Sequence, residues 1–147
     1  MRRDVRRGKR GNDAGCLRLL GRRVAARAEW NDPAIAEGLM LDTEGRVIAA
    51  TAANLFAVID GRLCTPRLDR CGVVGVARAE VMAQETTTEL ELDPAALGGA
   101  REIFLTSAVR GVLPVTMLAD RALAVGPVTR ALQAHWRVRG LLPDRAS

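Results

Sequence analysis

The sequence predicts an α+β domain with a mixed, barrel-like sheet and flanking helices. Three observations predict it. Short apolar runs of strand length recur through the chain, at Val47–Ala50, Asn54–Ile59 and residues 102–106. Tight-turn signals separate some of them, at Thr43-Glu44-Gly45 and Asp60-Gly61. Helical patterns are interspersed among the strands rather than gathered into a bundle.

In order along the chain, residues 1–14 (MRRDVRRGKRGNDA) are poor in apolar side chains and read as a basic, disordered arm. Residues 16–30 place Leu17, Leu20, Val24 and Arg27 at helical spacing, and Asn31-Asp32-Pro33 ends that pattern. A strand is expected over 38–42, then the 43–45 turn, then Val47–Ala50 and Asn54–Ile59. Asp60-Gly61 is the strongest hairpin signal, and residues 63–65 pair back. Gly75 opens a helix running to Gln84, and residues 86–92 alternate as a strand. Asp93 is an N-cap with Pro94 at the first helical position. Residues 102–106 form a buried strand, 111–118 a further strand or loop, and Pro127–Val138 a final amphipathic helix. The expected organisation is an arm over 1–14, one domain over 15–142 and a polar tail over 143–147.

Composition narrows the function classes. The chain has 147 residues, 48% hydrophobic and 27% charged, with aromatics at 3%, so its core is built from Leu, Val and Ala. No apolar run approaches the roughly 18 residues of a membrane span. The charged start fits no secretory leader. Cys16, Cys64 and Cys71 form no CxxC pair, which suggests reduced thiols and a cytoplasmic location. Residues 1–28 hold ten of the 22 basic groups against Asp4 and Asp13, about +8, while the remainder carries 12 basic against 15 acidic groups. Such an arm suits phosphate contacts. No aromatic residue lies among its arginines to stack on bases, so a solvated extension is favoured over a nucleic-acid partner.

Two segments carry candidate chemistry. In Arg70-Cys71-Gly72-Val73-Val74-Gly75-Val76-Ala77-Arg78, two glycines three apart lead into a helix. Glycine admits close backbone approach, and amides at a helix N-terminus attract phosphate. The segment lacks both the G-x-G-x-x-G spacing and a Walker lysine, which argues against a dinucleotide or nucleoside triphosphate. In Leu105-Thr106-Ser107-Ala108, two hydroxyls follow an apolar strand and can donate to a phosphate oxygen, although hydroxyls capping a strand end are the commoner arrangement. His135 is the lone histidine, and no Cys/His cluster completes a metal site. Cys71 sits beside a helix start, where a thiol pKa falls, but no neighbouring histidine activates it.

Together these pieces resemble the C-terminal part of the fold-type IV pyridoxal-phosphate enzymes, the class IV aminotransferase family. The matching wording is Ala26-Arg27-Ala28-Glu29-Trp30, residues 37–47 (EGLMLDTEGRV), Ala52-Ala53-Asn54-Leu55-Phe56, Leu63-Cys64-Thr65-Pro66, Arg70 to Gly75, and residues 103–115 (IFLTSAVRGVLPV). It covers roughly residues 25–137. Within the family the wording is most similar to the aminodeoxychorismate lyases, with branched-chain and D-amino acid transaminases as the alternative. The resemblance implies pyridoxal 5′-phosphate as cofactor, a small-molecule substrate and a homodimer. In the lyases, 4-amino-4-deoxychorismate gives 4-aminobenzoate and pyruvate, a step of folate biosynthesis. By position, Gly75, Val76 and Ala77 supply a backbone phosphate cup, Ser107 with Thr106 adds hydroxyl contacts, and Asn54 sits behind the cofactor ring.

The same resemblance marks departures. The family's Schiff-base lysine falls at Cys16, and the only lysine in the chain is Lys9. The acid that partners the pyridine nitrogen falls at Ala49. No catalytic residue is therefore assigned. The family's N-terminal domain, with its phosphate-binding arginine, finds no match, and the match weakens upstream of about residue 24. The expectation is a truncated or frameshifted relative with impaired turnover, with a non-catalytic remnant or a basic-arm nucleic-acid binder as the reading from another class.

Overall fold

The computed structural model describes residues 4–10, 35–69, 72–119 and 121–141. In chain order they form β1 (Asp4–Arg10), β2 (Ile35–Leu41), β3 (Val47–Ala50), β4 (Asn54–Ile59), β5 (Arg62–Pro66) and α1 (Val76–Gln84). There follow β6 (Thr88–Leu90), α2 (Pro94–Gly98), β7 (Glu102–Ser107), β8 (Gly111–Pro114), β9 (Met117–Leu118), β10 (Arg121–Ala122) and α3 (Pro127–Val138).

The strands make two five-stranded sheets, ordered β10-β9-β1-β2-β3 and β6-β5-β4-β7-β8. Both are mixed. β1 runs parallel to β2 and β9, and β5 parallel to β6; the remaining pairs are antiparallel. The α+β class and the mixed pairing are as expected. The barrel-like closure is not: among the described residues backbone pairing links the two layers only through the isolated bridges Val47–Leu92 and Ala50–Ala53, and the sheets stay separate.

The central strands are apolar on both faces because both faces are covered. Leu55 and Ala57 of β4 and Ile103 and Leu105 of β7 face Leu39, Leu41, Val47 and Ala50 of the other sheet, forming the inter-sheet core. Phe56, Val58 and Phe104 face the opposite way and pack under Ala77 and Val81 of α1 and Leu132 and Trp136 of α3. Phe56 and Phe104 are cross-strand partners, and their rings stack with centroids 5.1 Å apart. Leu132 and Trp136 lie at i, i+4, so one stripe of α3 meets this layer. A smaller cluster on the outer face of the first sheet joins Met40, Ile48 and Ala49 with Leu68.

Turn chemistry fixes the registers. Asp42 Oδ1 accepts from the amides of Glu44 and Arg46, both at 2.9 Å, and closes the β2–β3 turn. Asp60 (φ 50) and Gly61 (φ 75) make the two-residue β4–β5 hairpin, where both positions need positive φ. Asp93 caps α2 through a 2.7 Å bond from the Ala96 amide. Asp93→Ala is expected to lower the unfolding free energy by about 1 kcal/mol in urea denaturation, with no change in ligand binding, because α2 lies away from the candidate site.

Several expectations change. Residues 4–10, assigned to a disordered arm, form β1 at the centre of a sheet. Strand pairing uses backbone groups, and β2 and β9 each present an edge for them, so low apolar content alone did not reveal the strand. The strand expected over 86–92 shortens to Thr88–Leu90, because the chain leaves β5 there to bridge Leu92 to Val47. Residues 111–118 divide into β8 and β9 because the chain changes sheets: the Val115 amide still reaches the Ile103 carbonyl at 2.8 Å, while Met117 and Leu118 pair with β1 and β10. β10 was not anticipated. The 16–30 helix, Cys16, Arg70, Cys71 and the 143–147 tail lie outside the described residues. No helix among the described residues is long and apolar enough to cross a membrane.

Candidate functional site

The predicted site residues converge at one end of the second sheet. Asn54 begins β4 and stands directly across from Thr106, near the end of β7. The chain leaving β5 passes this end and enters α1 at Gly75, its N-cap. Asn54, only 6% exposed, ties that segment down through both amide atoms. Its Nδ2 donates to the Val73 carbonyl at 2.7 Å, and its Oδ1 accepts from the Gly75 amide at 3.1 Å. An amide side chain is suited to this task because it offers a donor and an acceptor side by side.

The closeness explains the glycine. A Cβ on Gly75 would lie 2.5 Å from Asn54 Oδ1. Gly72, at φ +108, is held to glycine by its backbone, and a Cβ there would lie 2.7 Å from Leu68 Cδ2. Both glycines flagged in the sequence therefore shape the path into α1.

No side chain caps α1. The amides of Val76 and Ala77, in the first turn, precede the first intrahelical bond and point out of the helix end. That end carries the positive pole of the helix dipole. Ala77 is buried, whereas the Val76 side chain is 80% exposed, so Val76 offers its backbone here and little else.

The two hydroxyls, Ser107 and Thr106, have different surroundings. Ser107 Oγ accepts from the Arg110 amide at 2.9 Å and closes the β7–β8 turn. Thr106 is 1% exposed, and its Oγ1 is buried with no hydrogen-bond partner. A buried unpaired hydroxyl costs about 1–3 kcal/mol unless a ligand or water satisfies it. It sits across from Asn54, which in turn holds Gly75.

Sequence reasoning passed over Arg78. It is the third residue of α1 and 5% exposed. One terminal nitrogen donates to the Pro66 carbonyl at 3.3 Å and lies 3.4 Å from Glu89 Oε2, while Nε has no partner. Its guanidinium, ion-paired with Glu89, fastens α1 to β5. The available signal was the run Val76-Ala77-Arg78 itself, since an arginine at a helix start opposes the helix dipole and calls for a reason.

The remaining candidates do not gather here. His135 is exposed on the last turn of α3. Burial pushes the Cys64 thiol up, which keeps it protonated and a poor nucleophile. No group of three metal-ligating side chains occurs among the described residues. Ala49, at the position of the family's acid, is fully buried beside Met40 and Ile48. Lys9 lies on β1, in the stretch between the pairs Arg7–Leu39 and Arg10–Leu41.

These residues fit a pyridoxal phosphate at its phosphate end: first-turn amides, an orphaned buried hydroxyl and a glycine cleared of side chain. They do not fit the ring end, where an alanine replaces the acid and the matching lysine position holds Cys16.

Comparisons with known proteins agree with the geometry. The family model described as amino-transferase class IV matches residues 17–118. A branched-chain-amino-acid aminotransferase-like protein 1 of Arabidopsis thaliana is 32% identical over 122 residues, covering 78% of this chain and 22% of that protein. An aminodeoxychorismate lyase of Vibrio harveyi is 32% identical over 128 residues, covering 76% of this chain and 45% of the lyase. The crystal structure of 4-amino-4-deoxychorismate lyase from Pseudomonas aeruginosa superposes with a TM-score of 0.83 at 36% identity, covering 92% of this chain and 54% of that one. The chain thus spans about half the length, or less, of the relatives it matches.

Proposed function

The chain belongs to the class IV aminotransferase family, and from that premise we propose that it is the cofactor-phosphate-binding part of a pyridoxal-phosphate enzyme of the aminodeoxychorismate lyase type. The observation that carries the reading is the buried, unpartnered Thr106 Oγ1 across from Asn54, which itself holds the entry to the uncapped helix α1. A helix end with free amides and a donor hydroxyl is an anion site, and a phosphomonoester fills it. The Pseudomonas aeruginosa lyase, at 36% identity, supports the lyase reading. The matched aminotransferases, such as the 32% identical Arabidopsis thaliana protein, support the alternative at similar identity, and substrate choice depends on parts of those proteins that this chain does not match.

Pyridoxal phosphate, when bound, supplies an electron sink for a substrate carbanion. Within this chain the division of work is simple. Val76 and Ala77 donate backbone amides to phosphate oxygens. Thr106 donates its hydroxyl. Asn54 contacts no phosphate in this scheme; it fixes Val73 and Gly75 so that the α1 amides face the cup. Arg78, paired with Glu89, holds α1 against β5. Proton transfer at the substrate is not assigned to any residue, since neither the lysine nor the acid stands at its matching position. Turnover by this chain alone is therefore expected to be impaired, and a second copy of the chain is its expected partner.

The test is equilibrium dialysis of the purified protein against pyridoxal 5′-phosphate and, separately, pyridoxal. Retention of the phosphate ester with loss of pyridoxal is the expected result, together with no 4-aminobenzoate formed from 4-amino-4-deoxychorismate. Equal retention of the two compounds would remove the phosphate-cup reading. Formation of 4-aminobenzoate above a protein-free control would remove the impairment.

A further inference from the structure

We infer, on the strength of the proposed phosphate site, that α3 sets the spacing between the two halves of the cup, with Gln133 as the residue that positions Thr106. One half is the pair of α1 amides, and the other is the Thr106 hydroxyl. Asn54 fixes where α1 begins. A separate tie must fix how Thr106 stands relative to it.

The ladder shows the face and the spacing. Thr106 lies two residues beyond Phe104, so its side chain shares the face that packs under α1 and α3. The Val115 amide donates to the Ile103 carbonyl at 2.8 Å, and that bond fixes the alternation of the β7–β8 pairs. Leu105–Leu113 is then also a hydrogen-bonded pair, whereas Phe104–Pro114 and Thr106–Val112 are the close, unbonded ones. Pro114, with no amide, stands where none is needed. Side chains are nearest in an unbonded pair, so the buried Val112 bears on Thr106.

The Val112 carbonyl accordingly points off the sheet edge, where β8 is the last strand among the described residues. Gln133 Nε2 meets it there at 3.0 Å. Further along α3, the buried Trp136 donates its indole N–H to Gln84 Oε1 at 3.0 Å, at the end of α1. Gln84 Nε2 donates to Glu80 Oε1 at 2.6 Å, and Arg139 bonds the same carboxylate. One helix therefore grasps both the strand beside Thr106 and the helix that carries the amides. Leu132, Trp136 and the Glu102 carboxylate already hold α3 on the sheet. Losing the Gln133 bond alone leaves α3 in place and frees β8.

The experiment is calorimetric titration of the full chain with pyridoxal phosphate, inorganic phosphate and pyridoxal, alongside thermal unfolding. Gln133→Met keeps the length of the side chain and removes its donor. It is expected to lower affinity for both phosphates by about fivefold, the scale of one net hydrogen bond. Affinity for pyridoxal stays as in the parent, and Tm stays within about 4 °C of it. Gln133→Lys, which returns a donor to the Val112 carbonyl, recovers the phosphate affinity. Gln84→Met, which loosens α3 from α1, shifts both phosphate affinities in the same direction as Gln133→Met. A folded Gln133→Met that bound both phosphates as the parent does, or that lost affinity for pyridoxal in the same proportion, would overturn the inference while leaving the cup standing. If the parent chain bound no inorganic phosphate, and pyridoxal phosphate no better than pyridoxal, the cup itself would fall, and the inference with it.

Discussion

Gly75→Ala is expected to lower affinity for pyridoxal phosphate by at least about thirtyfold, roughly 2 kcal/mol. The new Cβ would lie 2.5 Å from Asn54 Oδ1, well inside contact distance. Asn54 is buried, and both of its amide atoms are in use, on Val73 and on Gly75. It therefore cannot turn aside without giving up two hydrogen bonds. Each such bond contributes about 1 kcal/mol, so thermal stability falls as well, but modestly. The larger loss is in binding, because the α1 amides are aimed by this one side chain. Calorimetry separates the two effects: the variant remains folded with a slightly lower Tm while its affinity falls.

Gly126→Ala is expected to be the most damaging stability variant of those considered. Gly126 is the N-cap of α3, and a Cβ there would lie 1.9 Å from Glu102 Cδ. Glu102 is 4% exposed, and its carboxylate acts as the cap that α3 otherwise lacks. It accepts from the Val128 amide at 3.2 Å, the Thr129 amide at 3.0 Å and Thr129 Oγ1 at 2.9 Å. The alanine must either expel this carboxylate, leaving buried donors unpaired, or push α3 off the layer formed by Phe56 and Phe104. Either route costs about 3 kcal/mol or more. Glu102→Ala removes the obstacle together with the cap. The double variant is therefore expected to be less destabilised than the sum of the two single ones, with the coupling read by urea denaturation.

What the sequence made legible follows from how local each signal is. The Asp60-Gly61 hairpin, the Asp93-Pro94 cap and the limits of α3 depend on a few adjacent residues, and all three appear in the structure at the positions read from the sequence. The convergence of Asn54, Gly75 and Thr106 was legible through family resemblance, and the contacts supply the reason for it. Non-local features were not legible. β1 owes its place to the free edges of β2 and β9, which no property of residues 4–10 announces. That Ser107 Oγ is engaged while Thr106 Oγ1 is orphaned depends on the Arg110 amide, which reaches Ser107 only because the β7–β8 turn closes that way. The burial of Arg78 depends on the Pro66 carbonyl, twelve residues earlier in the chain. Gly126 looked like an ordinary residue before a proline, and only the packing of β7 against α3 shows that Glu102 fills its space.

In the proposed site the entry to α1, together with the end of β7, grips a phosphate ester. Amide chemical-shift mapping of the isotope-labelled chain, titrated with pyridoxal phosphate and then with inorganic phosphate, tests it most directly. Both ligands are expected to shift the amides of Gly75, Val76, Ala77 and Thr106, with Asn54 following, and to leave α2 and the Asp60-Gly61 hairpin unmoved. Shifts confined to other parts of the chain, or none at these residues at saturating ligand, would contradict it.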